Sequence, residues 1–432
     1  MFKRPLIVLG GVLLAATVTS GQTQSQVASA KIDWKQFSGQ SINVLLSRHP
    51  WQEAITPLVP EFERLTGMKV NVQALPETQY VTKVPADLTA GTFQFDVFMN
   101  QYYDKPQYAA EHWTADLKPL MDDPKLTDKQ WYNWNDFFPG ARDISTVGNT
   151  YMDRVAITAE TQILVYRKDL LLQAGIKTPP RTFDALLDAA KTIKAKTGVA
   201  GITLRGGAAV WWPLYGVVKS YGGEYFTKAG APAASDPKTI AGMKMYAALS
   251  AQAPAGITTY DWDQINTAML TGQAAMFLDS SVIFPRLQDK SISQVAGKIG
   301  AAPMPSGPGG RAAHSHFWSI SIAESSKAKG PAWLFVQWAT SADIQGRLAL
   351  KGVLAPRNSG WKVPGFNALY PADYRNAVQT SLKSSVISPV NSKFYELMDP
   401  LRATAQNIIL GRQDAAAGMA EVQNKWVSIL GK

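Results

Sequence analysis

YMDRVAITAETQILVYRKDL, residues 151–170, contains two patches of Val, Ile, Thr and Tyr and then a segment typical of a helix. The helical segment ends at Gly175. One carboxylate, Glu160, interrupts the apolar pattern where a buried strand favours apolar side chains. We therefore expect the chain to leave one lobe here and enter another, with Glu160 at the mouth between them. The alternative is a single central strand whose Glu160 faces solvent.

The first thirty residues have the pattern of a secretory signal peptide. Lys3 and Arg4 form a charged start, residues 6–18 are apolar, and Ala28 and Ala30 mark a small-residue cleavage site. This apolar core is too short to span a bilayer. The chain has no cysteine, which excludes disulfides, a thiolate nucleophile and a lipid-anchored cysteine. We expect export to the periplasm, removal of residues 1–30 and no lipid anchor.

Size and charge narrow the class of protein. A mature chain of roughly 400 residues exceeds what one hydrophobic core usually organises, so we expect two lobes. The formal charge is +10, but basic residues are scattered among acidic ones. No basic run is interleaved with aromatic residues, which disfavours a nucleic-acid partner. Thirteen tryptophans offer flat apolar faces for stacking against sugar-like ligands, although we expect at least half to be core or surface residues.

Polar and aromatic side chains follow two predicted strands of the first lobe. Residues 41–46 and 68–75 are β-forming runs around a helical segment, which predicts a parallel pair with a right-handed crossover. A third strand is predicted at 95–99. Ligands of open α/β sheets bind at the carboxyl ends of the strands. The candidates after the first and third strands are Arg48, His49, Trp51, Asn100 and Gln101.

The second half of the chain supplies further candidates. An apolar strand at 274–278 ends at Asp279, and a carboxylate there needs a partner. Trp211 and Trp212 are adjacent, so we expect at most one of them to reach a ligand. Residues 301–310, rich in Pro and Gly, are the best linker candidate. The candidates beyond this linker are His316, Trp318 and Arg357.

Some of these candidates have a structural interpretation as well. Arg357 follows a proline and could form a salt bridge within a turn. His316 could serve only to support Trp318. His49 could be a polar loop residue without a ligand contact.

Catalytic signatures are sparse. The four histidines include the pair His314 and His316, whose spacing does not suit a metal pair on a helix. No G-x-S-x-G motif, phosphate loop or dinucleotide fingerprint is present. Glu160 and Asp279 could act as the acid and nucleophile of a glycoside hydrolase. Because their separation is not encoded in the sequence, this enzyme remains an alternative.

Several motifs in order resemble one known family. They are TGMKVNVQALPETQY, FDVFMN, TAETQILVYRKDLLLQAGIKTPPRTFDALLDAAKTI, LTGQAAMFLDSS, HFWSISIAESSKAKGPAWLFVQWATSADIQ and GVLAPRNS. Together they resemble the extracellular solute-binding proteins of ABC importers, within these the carbohydrate-binding group that includes maltose-binding protein. The resemblance covers nearly the whole mature chain. Each motif is weak alone, and their common order is specific for the family but does not name the sugar.

The resemblance implies a two-lobed periplasmic-binding-protein fold of type II. Each lobe would be an α/β sandwich, and the lobes would be joined by three hinge crossings and close on a ligand between them. The implied crossings lie near 155–158, 302–305 and 355–358. The implied first lobe comprises 31–155 plus 306–356, and the second comprises 158–303 plus 358–432.

The resemblance also implies roles for the candidates. Glu160 matches a position that hydrogen-bonds sugar hydroxyls, and Asp279 matches the polar residue that ends a strand of the second lobe. This strand end often continues as Gly-Pro-Trp in the family, but here residues 280–282 read SSV. The stacking aromatic would therefore come from another tryptophan. The implied ligand-binding set is Arg48, His49, Trp51, Asn100, Gln101, Glu160, Trp211, Trp212, Asp279, His316, Trp318 and Arg357.

These observations predict a non-enzymatic, monomeric solute receptor of the periplasm. It would bind a sugar or sugar alcohol and deliver it to the permease subunits of an ABC importer in the inner membrane. No cofactor, metal or nucleic acid is expected. The alternatives are a binder of a non-carbohydrate solute such as a polyamine, and the glycoside hydrolase using Glu160 and Asp279.

Overall fold

The structure is a computed structural model that describes residues 27–147 and 151–431. Most of the predicted signal peptide, residues 1–26, lies outside the described residues. Within the described ranges, none of the helices combines the length and the apolar character needed to cross a membrane.

The first sheet is built from five strands. They are β1 (Ser41–Ser47), β2 (Lys69–Leu75), β3 (Val97–Gln101), β6 (Val155–Ala156) and β11 (Trp318–Ile322). Their order across the sheet is β2-β1-β3-β11-β6. β1 runs parallel to β2 and β3, as the strand–helix–strand pattern predicts, whereas β11 is antiparallel to both neighbours. The carboxyl ends of β1 and β3 therefore meet at one edge of the sheet.

The second sheet is organised around β7 (Glu160–Arg167). Its other strands are β8 (Met276–Ser280), β9 (Ile299–Pro303), β10 (Ala313–His316) and β12 (Ser385–Val386). β7 pairs with β8, β9 and β10, all antiparallel. Its residues 160–165 are buried, so Glu160 does not face solvent. β4 (Thr146–Val147) and β5 (Tyr151–Met152) form a separate pair.

Helices cover both sheets, and their ends follow local sequence signals. Thr182 caps the helix Phe183–Thr197 by accepting a hydrogen bond from the Ala185 N–H (3.2 Å), and Gly175 ends the helix Lys168–Ala174 with a φ of 81°. The other α-helices are Pro50–Ile55, Val59–Thr66, Glu77–Thr89, Lys105–Ala110, Lys118–Asp122, Lys129–Tyr132, Pro139–Ser145, Trp211–Ser220, Pro237–Ser250, Trp262–Leu270, Ile283–Gln288, Lys329–Ala339, Ala342–Ala349, Phe366–Leu369, Ala372–Lys383, Phe394–Ile409 and Ala415–Leu430.

The chain passes between the sheets at segments that touch one another. It leaves the first sheet after Ala156, and it returns between His316 in β10 and Trp318 in β11. The Ile157 N–H donates to the Trp318 carbonyl (2.8 Å), and the Ala159 N–H donates to the Leu354 carbonyl (2.9 Å). The segments that contain Trp318 and Leu354 thus both hydrogen-bond to the first crossing, an arrangement suited to a shared hinge.

The second crossing differs from the implied one. Ala302 and Pro303, placed at a crossing near 302–305, pair with Leu164 and Ile163 of β7 inside the second sheet. Residues 313–316, which the implied boundaries assign to the first lobe, also pair within the second sheet. The crossing lies farther along the chain because hydrogen bonds to β7 hold β9 and β10 in place. The other lobe boundaries stay predictions.

Candidate functional site

A cleft lies where the strand ends of the two sheets face each other. Its inner cavity is bordered, among others, by residues from β3 and β7, from the loop after β1, and from the adjoining ends of β10 and β11. Ligands of α/β sheets bind at such strand ends. The lining residues are His49, Glu77, Gln101, Tyr103, Glu160, Arg205, Ala209, Trp211, Trp212, Trp262, Ser280, His316 and Trp318.

Glu160 is held in one orientation at the base of this cavity. Oε1 accepts a hydrogen bond from the Thr158 hydroxyl (3.0 Å), and Oε2 accepts one from the Ser280 hydroxyl (2.6 Å). The His49 Nε2 lies 3.0 Å from Oε1. A carboxylate offers about four lone-pair positions, so the two hydroxyls leave acceptor positions for a ligand, while His49 Nε2 is a close contact that makes no hydrogen bond within the described part of the chain.

Electrostatics keeps Glu160 ionised. Burial alone would raise the pKa of Glu160, but the adjacent His49, with His316 and the Ser280 hydroxyl, lowers that pKa to about 2. His49 Nδ1 accepts the Trp51 N–H (3.0 Å), so the proton of a neutral ring sits on Nε2, beside Glu160. The cavity thus contains a fixed acceptor at neutral pH.

Four tryptophan rings form much of the cavity wall. Trp318 packs against the His49 ring with 5.5 Å between centroids, and Trp212 stacks on His314 at 5.1 Å. Trp211 and Trp212 both border the cavity, together with Trp262. We expected at most one of Trp211 and Trp212 to reach a ligand, whereas both side chains border the cavity. The helix Trp211–Ser220 begins at this pair, and neighbouring residues at a helix end can both face a cleft.

His316 borders the cavity with one ring nitrogen free of protein partners. Its Nδ1 is buried and has no hydrogen bond among the described residues. Burial lowers the pKa of His316 to about 3, even though Glu160 acts in the opposite direction. His316 is therefore neutral at neutral pH, and its Nδ1 is a buried nitrogen without a hydrogen bond to the described ranges, in a residue that borders the cavity.

Asp279 supports the site from behind instead of lining it. Both of its carboxylate oxygens accept hydrogen bonds from Arg205, Oδ2 from Nε (3.0 Å) and Oδ1 from Nη2 (2.9 Å). Asp279 is completely buried and does not border the cavity. Asp279, which the sequence predicted as an acceptor for ligand hydroxyls, is thus the partner that orients Arg205. A carboxylate buried at the end of an apolar strand needs such a partner.

Four other predicted residues lie away from the cavity wall. The Arg48 side chain is exposed, and Trp51 is fully buried in the hydrophobic core. Asn100 donates from Nδ2 to the Ser321 hydroxyl (2.5 Å) inside the first sheet. Arg357 is fully buried at another place in the fold. For these residues, closeness in sequence to a strand end did not specify the direction of the side chain.

Arg357 has the structural role that the sequence left open. Nε donates to the Thr340 carbonyl (2.7 Å) and Nη1 to the Asn133 carbonyl (3.1 Å), while Nη1 lies 3.5 Å from a carboxylate oxygen of Asp136. The guanidinium also stacks over Phe137, 3.8 Å from the ring centroid. Arg357 fastens the segment after Leu354 to residues 133–137.

Sequence reasoning missed several lining residues. They are Glu77, Tyr103, Arg205, Ala209, Trp262 and Ser280. Tyr103 and Ser280 adjoin predicted strand ends, so the rule that selected Gln101 and Asp279 could have included them. Glu77 and Arg205 carry no comparable local signal, because each acquires its role from a partner distant in sequence.

The cavity contains no recognisable metal-binding group. Within residues 27–147 and 151–431, no cluster of three or more His, Asp or Glu side chains is arranged to hold a metal ion. Its polar groups are instead two carboxylates, imidazoles, an amide, a guanidinium and hydroxyls set among indole rings. Such a set can donate to and accept from several hydroxyl groups at once.

Comparisons with known proteins agree with the sequence resemblance. The erythritol/L-threitol-binding protein of Mycolicibacterium smegmatis is 29% identical over 366 residues, covering 79% of this chain and 76% of the relative. A probable amino-acid ABC transporter periplasmic-binding protein of Sinorhizobium fredii is 29% identical over 384 residues, covering 86% and 84%.

The fold has solved counterparts. An ABC transporter solute-binding protein from Agrobacterium radiobacter K84, in complex with ribitol, superposes with a TM-score of 0.78 at 23% identity, covering 90% of this chain and 98% of that one. The expected two-lobed type II fold is confirmed. The profile of the bacterial extracellular solute-binding proteins matches residues 48–346. The chain belongs to this family of bacterial extracellular solute-binding proteins.

Proposed function

We propose that this protein captures a sugar or sugar alcohol between its two lobes and delivers it to the permease of an ABC importer. One observation carries the proposal: a cleft with four tryptophans and an ionised Glu160 that accepts hydrogen bonds from two hydroxyls and lies beside His49. A polyol or sugar presents apolar C–H groups and hydroxyls that both donate and accept. Indole faces suit the former, and the polar groups suit the latter. A relative 29% identical is an erythritol/L-threitol-binding protein.

Closure of the lobes would couple capture to transport. The cavity takes Gln101 and His49 from the first lobe and Glu160 and Trp212 from the second. A ligand that contacts both walls stabilises the closed arrangement by its differential affinity. The closed form would be the one that the permease recognises. We propose that the protein acts in this way as a monomer in the periplasm, with lobes divided near the crossings described above.

Two alternatives receive less support. A hydrolase that uses Glu160 and Asp279 would need one of them as a proton donor of raised pKa, whereas the pKa of Glu160 is lowered to about 2 and both oxygens of Asp279 accept hydrogen bonds from Arg205. A polyamine would require unpaired carboxylates. In this cleft, Arg205 forms an ion pair with Asp279 (2.9 Å) and lies 3.9 Å from Glu77. The relative from Sinorhizobium fredii, a probable amino-acid-binding protein, makes amino acids a necessary arm of the test.

A thermal-unfolding screen of the chain from residue 31 onward tests the proposal. The ligand panel comprises tetritols, pentitols, hexitols, mono- and disaccharides, amino acids and polyamines. A ligand at a hundredfold excess over Kd stabilises the folded state by about 2.7 kcal/mol. We expect a rise of the midpoint with a polyol or sugar, confirmed by calorimetric titration. A rise only with amino acids or polyamines, or the cleavage of a glycoside, contradicts the proposal.

A further inference from the structure

Glu77 and Arg205 face each other across the cleft. Glu77 is the first residue of the helix Glu77–Thr89, which packs beside β1 of the first sheet. Arg205 follows Thr203, which bridges to Phe277 in β8 of the second sheet. Oε1 of Glu77 and Nη1 of Arg205 are 3.9 Å apart, and both side chains border the cavity. The two charges therefore belong to opposite walls.

The Arg205 guanidinium is immobilised so that one nitrogen remains for a ligand. Nε and Nη2 donate to the two oxygens of Asp279. The guanidinium carbon lies 5.3 Å from the Trp212 ring centroid and 5.5 Å from that of Trp262. Nη1 makes no hydrogen bond to the described residues, and its nearest carboxylate is that of Glu77. Arg205 thus presents a single donor group in a fixed direction.

The Glu77 carboxylate has no other polar partner. Its oxygens make no hydrogen bond within residues 27–147 and 151–431, and 23% of the side chain is exposed. Loss of water around this carboxylate raises the pKa of Glu77, and the positive charge of Arg205 opposes that rise. A carboxylate in this position gains from a hydrogen-bond donor that reaches both it and Arg205.

The distance between the two groups is suited to one inserted atom. At 3.9 Å, Nη1 and Oε1 are too far apart for a direct hydrogen bond. An oxygen atom placed between them can lie within hydrogen-bond distance of both groups. We propose that Glu77 and Arg205 together recognise one hydroxyl of the ligand, which accepts from Arg205 and donates to Glu77. This inference rests on the proposed sugar or polyol function and assigns specificity-determining residues within it.

The arrangement selects for chemistry as well as for shape. Only a group that accepts and donates at one atom satisfies both walls, and a hydroxyl does so. A fluorine, an ether or a carbonyl in that position can accept but not donate, and a hydrogen can do neither. Because the bridge spans the lobes, it forms only when the lobes are closed. Asp279 acts here as a positioning residue, since it fixes the direction of the Arg205 donor.

Affinity measurements with ligand analogues that each lack one hydroxyl test this assignment. The probe is whichever of erythritol, ribitol, D-mannitol and maltose binds the wild type most tightly, with analogues in which each hydroxyl in turn becomes hydrogen or fluorine. Replacing the bridging hydroxyl should lower the affinity for wild type roughly tenfold to a hundredfold, the usual effect of losing a charge-assisted hydrogen bond. We call this loss of affinity the penalty at that position. In Glu77→Gln this penalty should shrink several-fold at that position alone.

The control is Glu53→Gln. Glu53 also pairs with an arginine of the other lobe, Arg286 (2.8 and 3.0 Å), but it is 57% exposed and does not border the cavity. The Glu53→Gln substitution should leave the penalty at every hydroxyl position unchanged. Arg205→Lys, which keeps the charge but not the fixed fork, is the second variant and should reduce the same penalty as Glu77→Gln.

Each outcome decides the assignment. If folded Glu77→Gln and Arg205→Lys weaken all analogues equally, or leave the pattern of penalties unchanged, the two residues do not recognise a hydroxyl and the inference fails alone. A reduced penalty in Glu53→Gln also overturns it, because any interlobe charge would then have the same effect. If the wild type binds neither these four probes nor any other sugar or polyol of the thermal-unfolding panel, the proposed function fails together with the inference.

Discussion

Replacing Asp279 by Asn separates a supporting role from direct ligand contact. The substitution keeps the size of the side chain and removes the negative charge that Arg205 faces. Asp279 has no exposed side-chain surface, and only 9% of the Arg205 side chain is exposed. The guanidinium would remain buried, with one acceptor oxygen where two now stand.

The expected cost follows from this burial. Removing one partner of a buried ion pair typically costs about 3–5 kcal/mol, because the other charge stays buried without compensation. Asn can still accept one of the two hydrogen bonds, so we expect a loss of about 3 kcal/mol in the free energy of unfolding. The ligand affinity should fall at least about tenfold, because Nη1 of Arg205 is no longer held in one direction.

Urea unfolding of the ligand-free protein and calorimetric titration with the identified ligand measure the two effects. The background variant Arg205→Met provides the control, since Asp279→Asn in that background leaves no guanidinium charge unpaired and should cost little or even stabilise. If Asp279→Asn abolishes binding while the free energy of unfolding stays within about 1 kcal/mol of wild type, Asp279 contacts the ligand directly and our reasoning is wrong.

Three further outcomes are expected. Arg357→Met should lower the free energy of unfolding by about 3 kcal/mol by leaving buried carbonyls unpaired, with the ligand affinity unchanged; a large loss of affinity in calorimetry would place it at the site. Burial lowers the pKa of His314 from 6.5 to about 4, so this one residue should contribute on the order of 3 kcal/mol to the stability that wild type loses as the pH falls from 6.5 to 4, because the unfolded chain binds the proton first. In urea unfolding, the free energy of unfolding of His314→Gln should fall by about 3 kcal/mol less than that of wild type over this pH range. Equal losses in the two proteins would contradict the prediction. Trp318→Ala should weaken binding of a sugar or polyol by more than about 1 kcal/mol, whereas an unchanged Kd would remove this ring from the site.

The neutral state of His314 illustrates the physical basis of the acid prediction. Nδ1 lies 2.7 Å from the Trp212 carbonyl and must donate to it, so Nε2 accepts from the Tyr102 hydroxyl (2.9 Å) and the Ser388 N–H (3.3 Å). A proton on Nε2 would face the Ser388 donor inside a buried environment. Protonation therefore opposes folding, and stability falls with pH below the pKa of the unfolded chain.

Much of the fold could be predicted because short-range patterns encode it. The parallel pair β1 and β2, the helix capped by Thr182 and the central strand β7 follow from periodicity and capping residues. The crossing that the resemblance implied near 302–305 was misplaced because Ala302 and Pro303 pair with β7, and a likeness of sequence motifs does not show which strands pair. Glu160 was expected at the mouth between the lobes, and the structure places it, buried, at the cavity between the two sheets instead of facing solvent.

The sequence by itself determined the class of fold, the family and the strand ends that border the cleft. Only the tertiary structure decided which polar side chains point into that cleft and which are used up by a partner. Asp279 and Arg205 are separated by 74 positions, and Glu77 reaches Arg205 only because the two lobes bring their walls together. Hydrophobic periodicity is local along the chain, whereas the partner of a buried charge is set by the path of the whole chain through space.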